Sequence, residues 1–403
     1  MRRFSPNGLV SSRFLRWLLP ALLGLCLLLI AGCSVGNSNI LNPQGPVALQ
    51  ESDLFWFILI VATIVFVLLE VVLIYSVIHF RARPDSPEPR QIHGNTKLEI
   101  WWTIVPSLIL FLVLGLTVRT LFSIQEPSPN PSNPTMFVNV YGHQWWWEFR
   151  YFDNETDALN NASATPVHSS PLQDSPKPLV VTADQLVVPV GTTVHLNLIS
   201  DNVIHSFWIP QLTGKTDVIP GHINHMWFSA DTLGEYQGAC AEFCGDQHAH
   251  MRFDVVVKNM SGADSFNNWR TAEEAPAYDP ESTLPGGPGK LACSNGDPVS
   301  INPAVEGKYI FFCQTFGANA CISCHSVYGA NYGGIPANGT IGPNLTHFGS
   351  RDLIAGGVLT NTPDNLTQWL TNPQSVKPGN DMPDLGLSPQ QVQYLVAYLD
   401  SLQ

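Results

Sequence analysis

Five side chains with metal-binding chemistry occur in the middle of the sequence. Cys240, Cys244, His248 and Met251 fall within one short segment, and His205 lies upstream. Thiolate, thioether and imidazole groups favour copper over magnesium, calcium or manganese. A mononuclear blue-copper centre uses a single Cys, two His and a weak axial Met. The additional Cys would allow both sulfurs to bridge two copper ions, each of which also binds one imidazole.

Two other arrangements use the same cysteines. A zinc site would combine Cys240 and Cys244 with the two histidines, since zinc accepts sets of two Cys and two His. A disulfide would instead join Cys240 to Cys244. The zinc site leaves Met251 without a role, so copper is the preferred prediction, and both alternatives remain open at this point.

A second chemical motif lies nearer the C-terminus. Cys321, Cys324 and His325 form the pattern Cys-x-x-Cys-His, which attaches c-type haem. The two cysteines would bind the porphyrin through thioether bonds, and His325 would bind the iron. Met382 follows at a suitable distance for the sixth ligand, with His347 as the alternative. Ligation by His and Met raises the iron potential, which suits electron transfer.

The elements that position these ligands follow from hydropathy. Hydrophobic residues make up 45% of the 403-residue chain and charged residues 13%, which indicates membrane spans joined to a soluble part. Residues 54–80 and 100–122 are long enough to cross a hydrocarbon core about 30 Å thick as helices. The loop between them is rich in basic residues, which places it in the cytoplasm and both chain ends outside. The net charge of −13 argues against a nucleic-acid partner.

The first residues have the pattern of a targeting segment. A basic beginning and an apolar run predict a signal peptide over residues 1–32. The run ends in Ile-Ala-Gly-Cys, which resembles a bacterial lipoprotein cleavage site and predicts lipidation of Cys33. The alternative is an uncleaved first membrane helix. Within the span 54–80, Glu70 is predicted to make a helix-packing contact rather than to relay protons.

After residue 125 a linker rich in Pro, Ser and Asn leads into short β-branched segments separated by Gly and Pro. This pattern predicts a sandwich or barrel. The predicted strands cover residues 136–141, 179–181, 186–190, 193–199, 226–229 and 252–257. Residues 154–177 are a polar insertion without evident chemistry. The Pro- and Gly-rich stretch 259–305 predicts an interdomain linker, and residues 387–402 predict an amphipathic helix with Pro389 at its first position.

The pattern Cys-x-Glu-x-Cys-x-x-x-His-x-x-Met, with a histidine upstream, closely resembles the copper A site of cytochrome c oxidase subunit II. The resemblance implies a cupredoxin-like β-barrel and a binuclear copper A centre. It implies as copper ligands His205, Cys240, the backbone carbonyl of Glu242, Cys244, His248 and Met251. It also implies that the Glu242 side chain faces a Mg²⁺ ion at the border with subunit I.

Two further stretches resemble the same family. Residues 141–147 read Tyr-Gly-His-Gln-Trp-Trp-Trp, which implies that Trp145 forms the electron-entry surface over copper A. Residues 99–106 resemble the second membrane helix of the family, which implies that Glu99 stands at the entrance of a proton pathway into subunit I. The alternative for Glu99 is a carboxylate that favours the positive end of a helix dipole.

The C-terminal domain resembles a class I cytochrome c, an all-α fold, and the whole chain resembles the fused subunit II of caa3-type haem-copper oxidases. This resemblance implies electron transfer from an external donor through haem c and copper A to subunit I, where O₂ is reduced with proton pumping. It implies subunits I and III and membrane lipid as partners, in a bacterial plasma membrane with both soluble domains on the periplasmic side. The alternatives are a quinol oxidase subunit, which lacks the copper ligands, and a membrane-anchored electron carrier outside any oxidase.

The remaining cysteines suggest one further bond. Of eight cysteines, two belong to the signal segment and its cleavage site, two to copper and two to haem. Cys293 and Cys313 remain, and an even remainder in an oxidising compartment predicts a disulfide. The alternative is two unrelated thiols. The predicted divisions are a signal peptide 1–32, a membrane part 33–125, a copper domain 126–260, a linker 261–304 and a cytochrome domain 305–403.

Overall fold

The computed structural model describes residues 38–81, 91, 93–125, 135–164, 176–284, 293, 302–315 and 320–403. The predicted signal peptide and the lipidation site Cys33 lie outside these residues. So does residue range 82–90, which makes up most of the loop between the membrane helices.

Two long apolar helices, α1 (Pro46–His79) and α2 (Thr96–Gln125), form the membrane part. Their most apolar windows have mean hydropathies of 3.2 and 2.1, and these windows are exposed along their length. One end of each helix meets the copper domain. The backbone N–H of Gln44, just before α1, donates to the carbonyl of Gln211 at 2.7 Å, and Trp227 Nε1 donates to the carbonyl of Ile124, near the end of α2, at 2.9 Å. The two predicted spans therefore form a hairpin with one end of each helix at the copper domain.

The copper domain is a sandwich of two five-stranded sheets. Its strands are β1 (Thr135–His143), β2 (Trp146–Phe152), β3 (Val180–Ala183), β4 (Gln185–Pro189), β5 (Thr193–Ser200), β6 (His205–Trp208), β7 (Lys215–Val218), β8 (Asn224–Phe228), β9 (Gly234–Cys240) and β10 (Arg252–Lys258). One sheet has the order β3-β2-β1-β5-β8, and the other has the order β4-β10-β9-β6-β7. The predicted strands correspond to β1, β3, β4, β5, β8 and β10, whereas β2, β6, β7 and β9 were not predicted.

Aromatic side chains fill the space between the sheets. The rings of Phe207 and Phe253 stack with centroids 4.5 Å apart, and Trp147 and Phe149 meet them edge-on or tilted. Each such side chain contributes roughly 1.5–3 kcal/mol through burial. Gly238 makes the packing possible, because a Cβ there would lie 2.1 Å from the Phe253 ring. The core therefore includes strand β6, which carries Phe207 and begins with the ligand candidate His205.

The polar insertion has a structural role that the sequence did not reveal. Its first part forms helix α3 (Glu155–Ala164), which packs on the first sheet. Asn139 of β1 donates from Nδ2 to the carbonyl of Ala158 at 2.9 Å and to Asn161 Oδ1 at 3.2 Å, and the Tyr141 hydroxyl donates to Asn161 Oδ1 at 3.1 Å. These buried bonds attach α3 to the outer face of the sheet.

The stretch predicted to be an interdomain linker contains two short helical segments. Helix α4 (Phe266–Glu273) begins at Ser265, whose hydroxyl accepts the backbone N–H of Asn268, and a 3₁₀ turn covers Pro280–Thr283.

Helices frame the cytochrome domain. They are α5 (Pro303–Cys313), α6 (Cys321–Cys324), α7 (Pro363–Thr371), α8 (Pro373–Val376) and α9 (Pro389–Ser401). Two short hairpins that were not predicted, β11–β12 (Ser326–Tyr332 and Ile335–Asn338) and β13–β14 (Leu353–Ile354 and Leu359–Thr360), extend the loops. Helix α9 crosses α5 closely at Gly307, where a Cβ would lie 2.0 Å from the carbonyl oxygen of Tyr394.

Candidate metal and haem sites

The sulfur and imidazole side chains of the copper motif converge at one end of the sandwich. The Sγ atoms of Cys240 and Cys244 lie 3.7 Å apart. His205 Nδ1 is 3.9 Å from the first sulfur, and His248 Nδ1 is 3.7 Å from the second. Met251 Sδ lies 3.8 Å from Cys244 Sγ. Two sulfurs at the centre, with one imidazole beside each, fit the arrangement that a binuclear copper centre requires.

The backbone explains why distant residues meet here. Cys240 ends β9 and its N–H donates to the carbonyl of Met251 at 3.0 Å, which closes the ligand loop at its base. The N–H of Ala241 donates to the carbonyl of Ser206 on β6 at 2.9 Å, which holds the loop beside His205. The Nε2 atom of His205 lies 3.0 Å from Asn202 Oδ1, so a second group orients this imidazole.

The two thiols do not titrate independently. The sulfur contact lowers the pKa of Cys240 to about 3, because the thiolate accepts a hydrogen bond from the Cys244 thiol and from His205, against the opposing effect of burial. The same contact raises the pKa of Cys244, whose proton is held by its neighbour. If a soft metal cation displaced this shared proton, both sulfurs would be thiolates and could bind the cation.

Trp145 contacts both the copper loop and the haem cavity. Its Nε1 donates to the carbonyl of Cys244 at 3.0 Å, and Gln144 Nε2 donates to the same oxygen at 2.7 Å. The approach requires a glycine at position 245, where φ is +119° and a Cβ would lie 2.8 Å from the Trp145 ring. Trp145 is only 9% exposed, because the cytochrome domain lies over it.

The haem motif lines a large apolar cavity in the cytochrome domain. Cys321, Cys324, His325 and Met382 all face it, together with Trp145 of the copper domain. His325 Nδ1 lies 2.9 Å from the carbonyl of Pro343, an acceptor that fixes this nitrogen as the protonated one and leaves Nε2 for a metal. Burial lowers the pKa of His325, which favours the neutral imidazole that ligation needs.

Gly342 gives the His325 imidazole its place in the wall of the cavity. A Cβ at position 342 would lie 2.5 Å from Cε1 of that imidazole, so Gly342 leaves the room that the ring occupies. The alternative sixth ligand, His347, does not line the cavity, and its Nε2 lies 3.0 Å from the carbonyl oxygen of Ala275 in the linker. The arrangement favours Met382 over His347.

The linker is attached to the first helix of the cytochrome domain. Cys293 and Cys313 form a disulfide with their Cα atoms 5.3 Å apart. Lys308 Nζ, which is fully buried, lies 2.7 Å from Asp279 Oδ1 and 3.0 Å from Glu281 Oε1. A covalent bond and a buried pair of ionic contacts therefore restrain this end of the linker.

Two acidic residues with predicted roles, Glu242 and Glu99, are exposed. The carbonyl oxygen of Glu242 is 3.2 Å from Cys240 Sγ, within the copper loop, while the residue as a whole is exposed. Glu99 is exposed in the first turn of α2. Phe243, which follows Glu242 in the chain, is 75% exposed, so an apolar and acidic surface borders the copper loop.

Sequence reasoning missed the residues that join the domains. Lys377 and Asp184 are 2% and 4% exposed at the boundary between the cytochrome and copper domains. Burial lowers the pKa of Lys377 to about 8, against the opposing attraction of Asp184, so the ammonium form still predominates at neutral pH. A lone lysine before Pro378 gives no sequence signal for such a contact.

The fold and the two sites define a class: a membrane-anchored protein with a copper domain and a c-type cytochrome domain. Three family models match the chain in the same order. The transmembrane domain of cytochrome c oxidase subunit II matches residues 37–118, its periplasmic domain matches residues 136–260, and cytochrome c matches residues 313–403.

Two relatives match nearly the whole chain, and a third matches most of it. Cytochrome c oxidase subunit 2 of Alkalihalophilus pseudofirmus is 34% identical over 383 residues, or 93% of this chain and 94% of the relative. The protein of the same name from Bacillus sp. (strain PS3) is 33% identical over 401 residues, or 96% and 98%. Quinol oxidase subunit 2 of Bacillus cereus is 31% identical over 301 residues, which is 71% of this chain.

The chain belongs to the cytochrome c oxidase subunit II family and carries a C-terminal cytochrome c domain. It is a membrane-anchored subunit of an oxidoreductase complex and serves electron transfer in a terminal oxidase, in association with other oxidase subunits. The two soluble domains imply copper A and haem c as its cofactors.

Proposed function

We propose that this chain transfers electrons from an external donor to haem c, then to copper A, and then to the oxygen-reducing subunit I. One observation carries this proposal: Trp145 lines the haem cavity and also donates a hydrogen bond to the carbonyl of the copper-ligand candidate Cys244. A single buried side chain therefore contacts both cofactor sites.

The chemistry of the side chains supports the copper assignment. Cys240, Cys244, His205 and His248 would hold the copper ions through thiolate and imidazole groups. Met251 and the carbonyl of Glu242 would add weaker ligands. Their atoms lie between 3.2 and 3.9 Å from a bridging sulfur. Mononuclear zinc gives the thioether no role, whereas copper accepts thiolate, imidazole and thioether together.

The cytochrome domain supplies the haem ligands. Cys321 and Cys324 would hold the porphyrin, and His325, through Nε2, and Met382 would bind the iron. The carbonyl of Pro343 orients His325 from behind. The apolar lining excludes water, and together with a thioether ligand it favours a high potential at the iron. Haem c, when bound, takes up one electron at a time.

The remaining assignments concern the complex in the membrane. The basic loop between α1 and α2 faces the cytoplasm, and the soluble domains face the periplasmic side. The exposed Glu242, beside the exposed Phe243, faces subunit I and contributes to a shared Mg²⁺ site. Glu99 admits protons to a pathway in subunit I, which pumps protons as O₂ is reduced. Subunit III and membrane lipid complete the surroundings, and Cys33 carries a lipid.

The test replaces the bridging tryptophan. Trp145→Phe removes the hydrogen bond to Cys244 but keeps an aromatic ring, so electron transfer from haem c to copper A should slow while both cofactor spectra persist. Flash photoreduction of haem c in the purified oxidase measures this step. Trp146→Phe is the matched control, because Trp146 lines the same cavity and stacks on His143 instead. Equal rates in wild type and Trp145→Phe would contradict the role of Trp145, and no copper reduction in wild type would contradict the proposed function.

A further inference from the structure

Lys377 belongs to the cytochrome domain, but its ammonium group binds the copper domain. Nζ donates to the carbonyl of Trp145 at 2.6 Å, to that of His250 at 2.9 Å and to that of Ala355 at 2.9 Å. Two of these acceptors belong to the copper domain and one to the cytochrome domain. An ammonium group has three N–H donors and no acceptor, so the three carbonyls use its full capacity.

The turn that supplies Ala355 is shaped for this contact. Ala355 and Gly356 have φ angles of +58° and +70°. A Cβ at position 356 would lie 2.1 Å from Lys377 Nζ and 2.5 Å from the carbonyl oxygen of Trp145. The carbonyl of Gly356 also accepts the backbone N–H of Arg252 from the copper domain at 3.1 Å. Only a glycine leaves space for the lysine and for the close approach of the two backbones.

The same lysine is connected to the haem side of the domain. Asn380 Nδ2 donates to the carbonyl of Lys377 at 2.6 Å, and Asn380 Oδ1 accepts the backbone N–H of Met382 at 2.8 Å. Between them, the carbonyl of Pro378 accepts Gln247 Nε2 from the copper loop at 2.6 Å. The segment that carries the proposed haem ligand Met382 is therefore hydrogen-bonded to the copper domain at two points. One is the side-chain Nζ of Lys377, and the other is the backbone carbonyl of the next residue, Pro378.

We infer that Lys377 is a positioning residue that holds the cytochrome domain over Trp145 and so sets the rate of electron transfer between the two cofactor sites. This inference rests on the proposed route from haem c to copper A. Lys377 also lines the haem cavity, but its ammonium group binds three backbone carbonyls and none of the candidate cofactor ligands. One of these carbonyls belongs to Trp145, whose side chain contacts both sites.

The variant Lys377→Met keeps the length of the side chain and removes all three N–H donors. Hydrogen bonds from charged donors contribute roughly tenfold to a hundredfold each to an equilibrium when their partners are left without them. Electron transfer from haem c to copper A should therefore slow about tenfold or more, while the spectra of both cofactors stay unchanged. Trp145, 9% exposed in the docked state, should become accessible.

Two measurements on the purified oxidase complex test the inference. Flash photoreduction with a soluble ruthenium polypyridyl complex gives the rate of copper A reduction by haem c. Hydroxyl-radical labelling followed by mass spectrometry gives the accessibility of Trp145. Lys258→Met is the matched control, because Lys258 pairs with Asp264 and neither residue belongs to the cytochrome domain. The control should transfer electrons and label as wild type does.

The outcomes separate the inference from the proposed function. Absence of copper A reduction in wild type would reject the proposed route. Normal transfer in wild type, with an unchanged rate and unchanged Trp145 labelling in Lys377→Met, would overturn the role of Lys377 alone. If Lys377→Met loses either cofactor spectrum, Gly356→Ala takes its place in the test, because the added Cβ would displace Lys377 Nζ. A slower rate with higher Trp145 labelling in Gly356→Ala supports the inference, and unchanged values overturn it.

Discussion

Asp184, a buried residue at the boundary between the two domains, should make the free energy of unfolding depend on pH. Its Oδ1 accepts the backbone N–H of Trp147 at 2.9 Å, and the residue is 4% exposed with a φ of +59°. Burial raises the pKa of Asp184 to about 6, although the Trp147 hydrogen bond and the nearby Lys377 and Arg351 oppose the change. The fold therefore holds a carboxylate where its ionised form is unfavourable.

The sign of the pH dependence follows from this direction. The pKa of Asp184 is raised from 3.8 in the unfolded chain to about 6 in the folded one, so the folded state binds the proton more tightly. The stabilising contribution is complete below about pH 4 and is lost as the pH rises through about 6. A difference of about two pKa units corresponds to roughly 3 kcal/mol in the free energy of unfolding.

The variant Asp184→Asn isolates this contribution. The amide oxygen still accepts the Trp147 N–H, and asparagine tolerates a positive φ, so only the titration is removed. Relative to wild type, the variant should be about equally stable near pH 4 and more stable by up to roughly 3 kcal/mol near pH 7. Urea unfolding of the detergent-solubilised full chain, followed by tryptophan fluorescence at several pH values, measures the difference.

An exposed aspartate provides the comparison. Asp217 lies exposed on strand β7, and Asp217→Asn should leave the pH dependence of unfolding as it is in wild type. A stability difference between Asp184→Asn and wild type that stays constant from pH 4 to pH 7, or that favours wild type more as the pH rises, would refute the reasoning.

Two further variants test the cytochrome domain. Lys308→Met should lower the free energy of unfolding by roughly 3–5 kcal/mol, because it leaves Asp279 and the fully buried Glu281 without their cation. Thermal unfolding followed by haem absorbance measures this loss of stability. The loss should be smaller when Lys308→Met is combined with Glu281→Gln. An equal loss in the double variant would contradict the ionic explanation. Met382→Ala should keep the haem attached and lower its potential, as redox titration would show, whereas Leu385→Ala, which alters another residue lining the cavity, should not. An unchanged potential in Met382→Ala would exclude Met382 as the axial ligand.

Local chemistry was readable from the sequence because it depends on residues that are close in the chain. The loop from Cys240 to Met251 and the pair Cys321 and Cys324 each place their ligands through a short segment. Composition alone likewise gave the two apolar helices, since length and hydropathy decide whether a helix can span a bilayer. His205 lies far upstream of this loop in the sequence, and the pairing of strand β6 with strand β9 brings it to the other ligands.

Strand prediction failed where other features dominated the pattern. Strand β2 is buried on both faces, so its tryptophans give no alternation of polar and apolar residues. Strand β7 is largely exposed and short, and its Lys-Thr-Asp-Val sequence has no apolar run. The helix α3 in the insertion and α4 in the linker are short, and isolated helices of this length gain their stability from packing.

The boundary between the copper and cytochrome domains was decided by the tertiary structure alone. Lys377 and Gly356 have ordinary sequence contexts, and Trp145, which the aromatic motif marks, lies far from both of them in the chain. A buried ammonium is favourable only where carbonyl groups from both domains surround it, and that condition depends on which two surfaces meet. The sequence thus determined which metals and haem the chain can bind, whereas the packing of the domains determined how the two sites are joined.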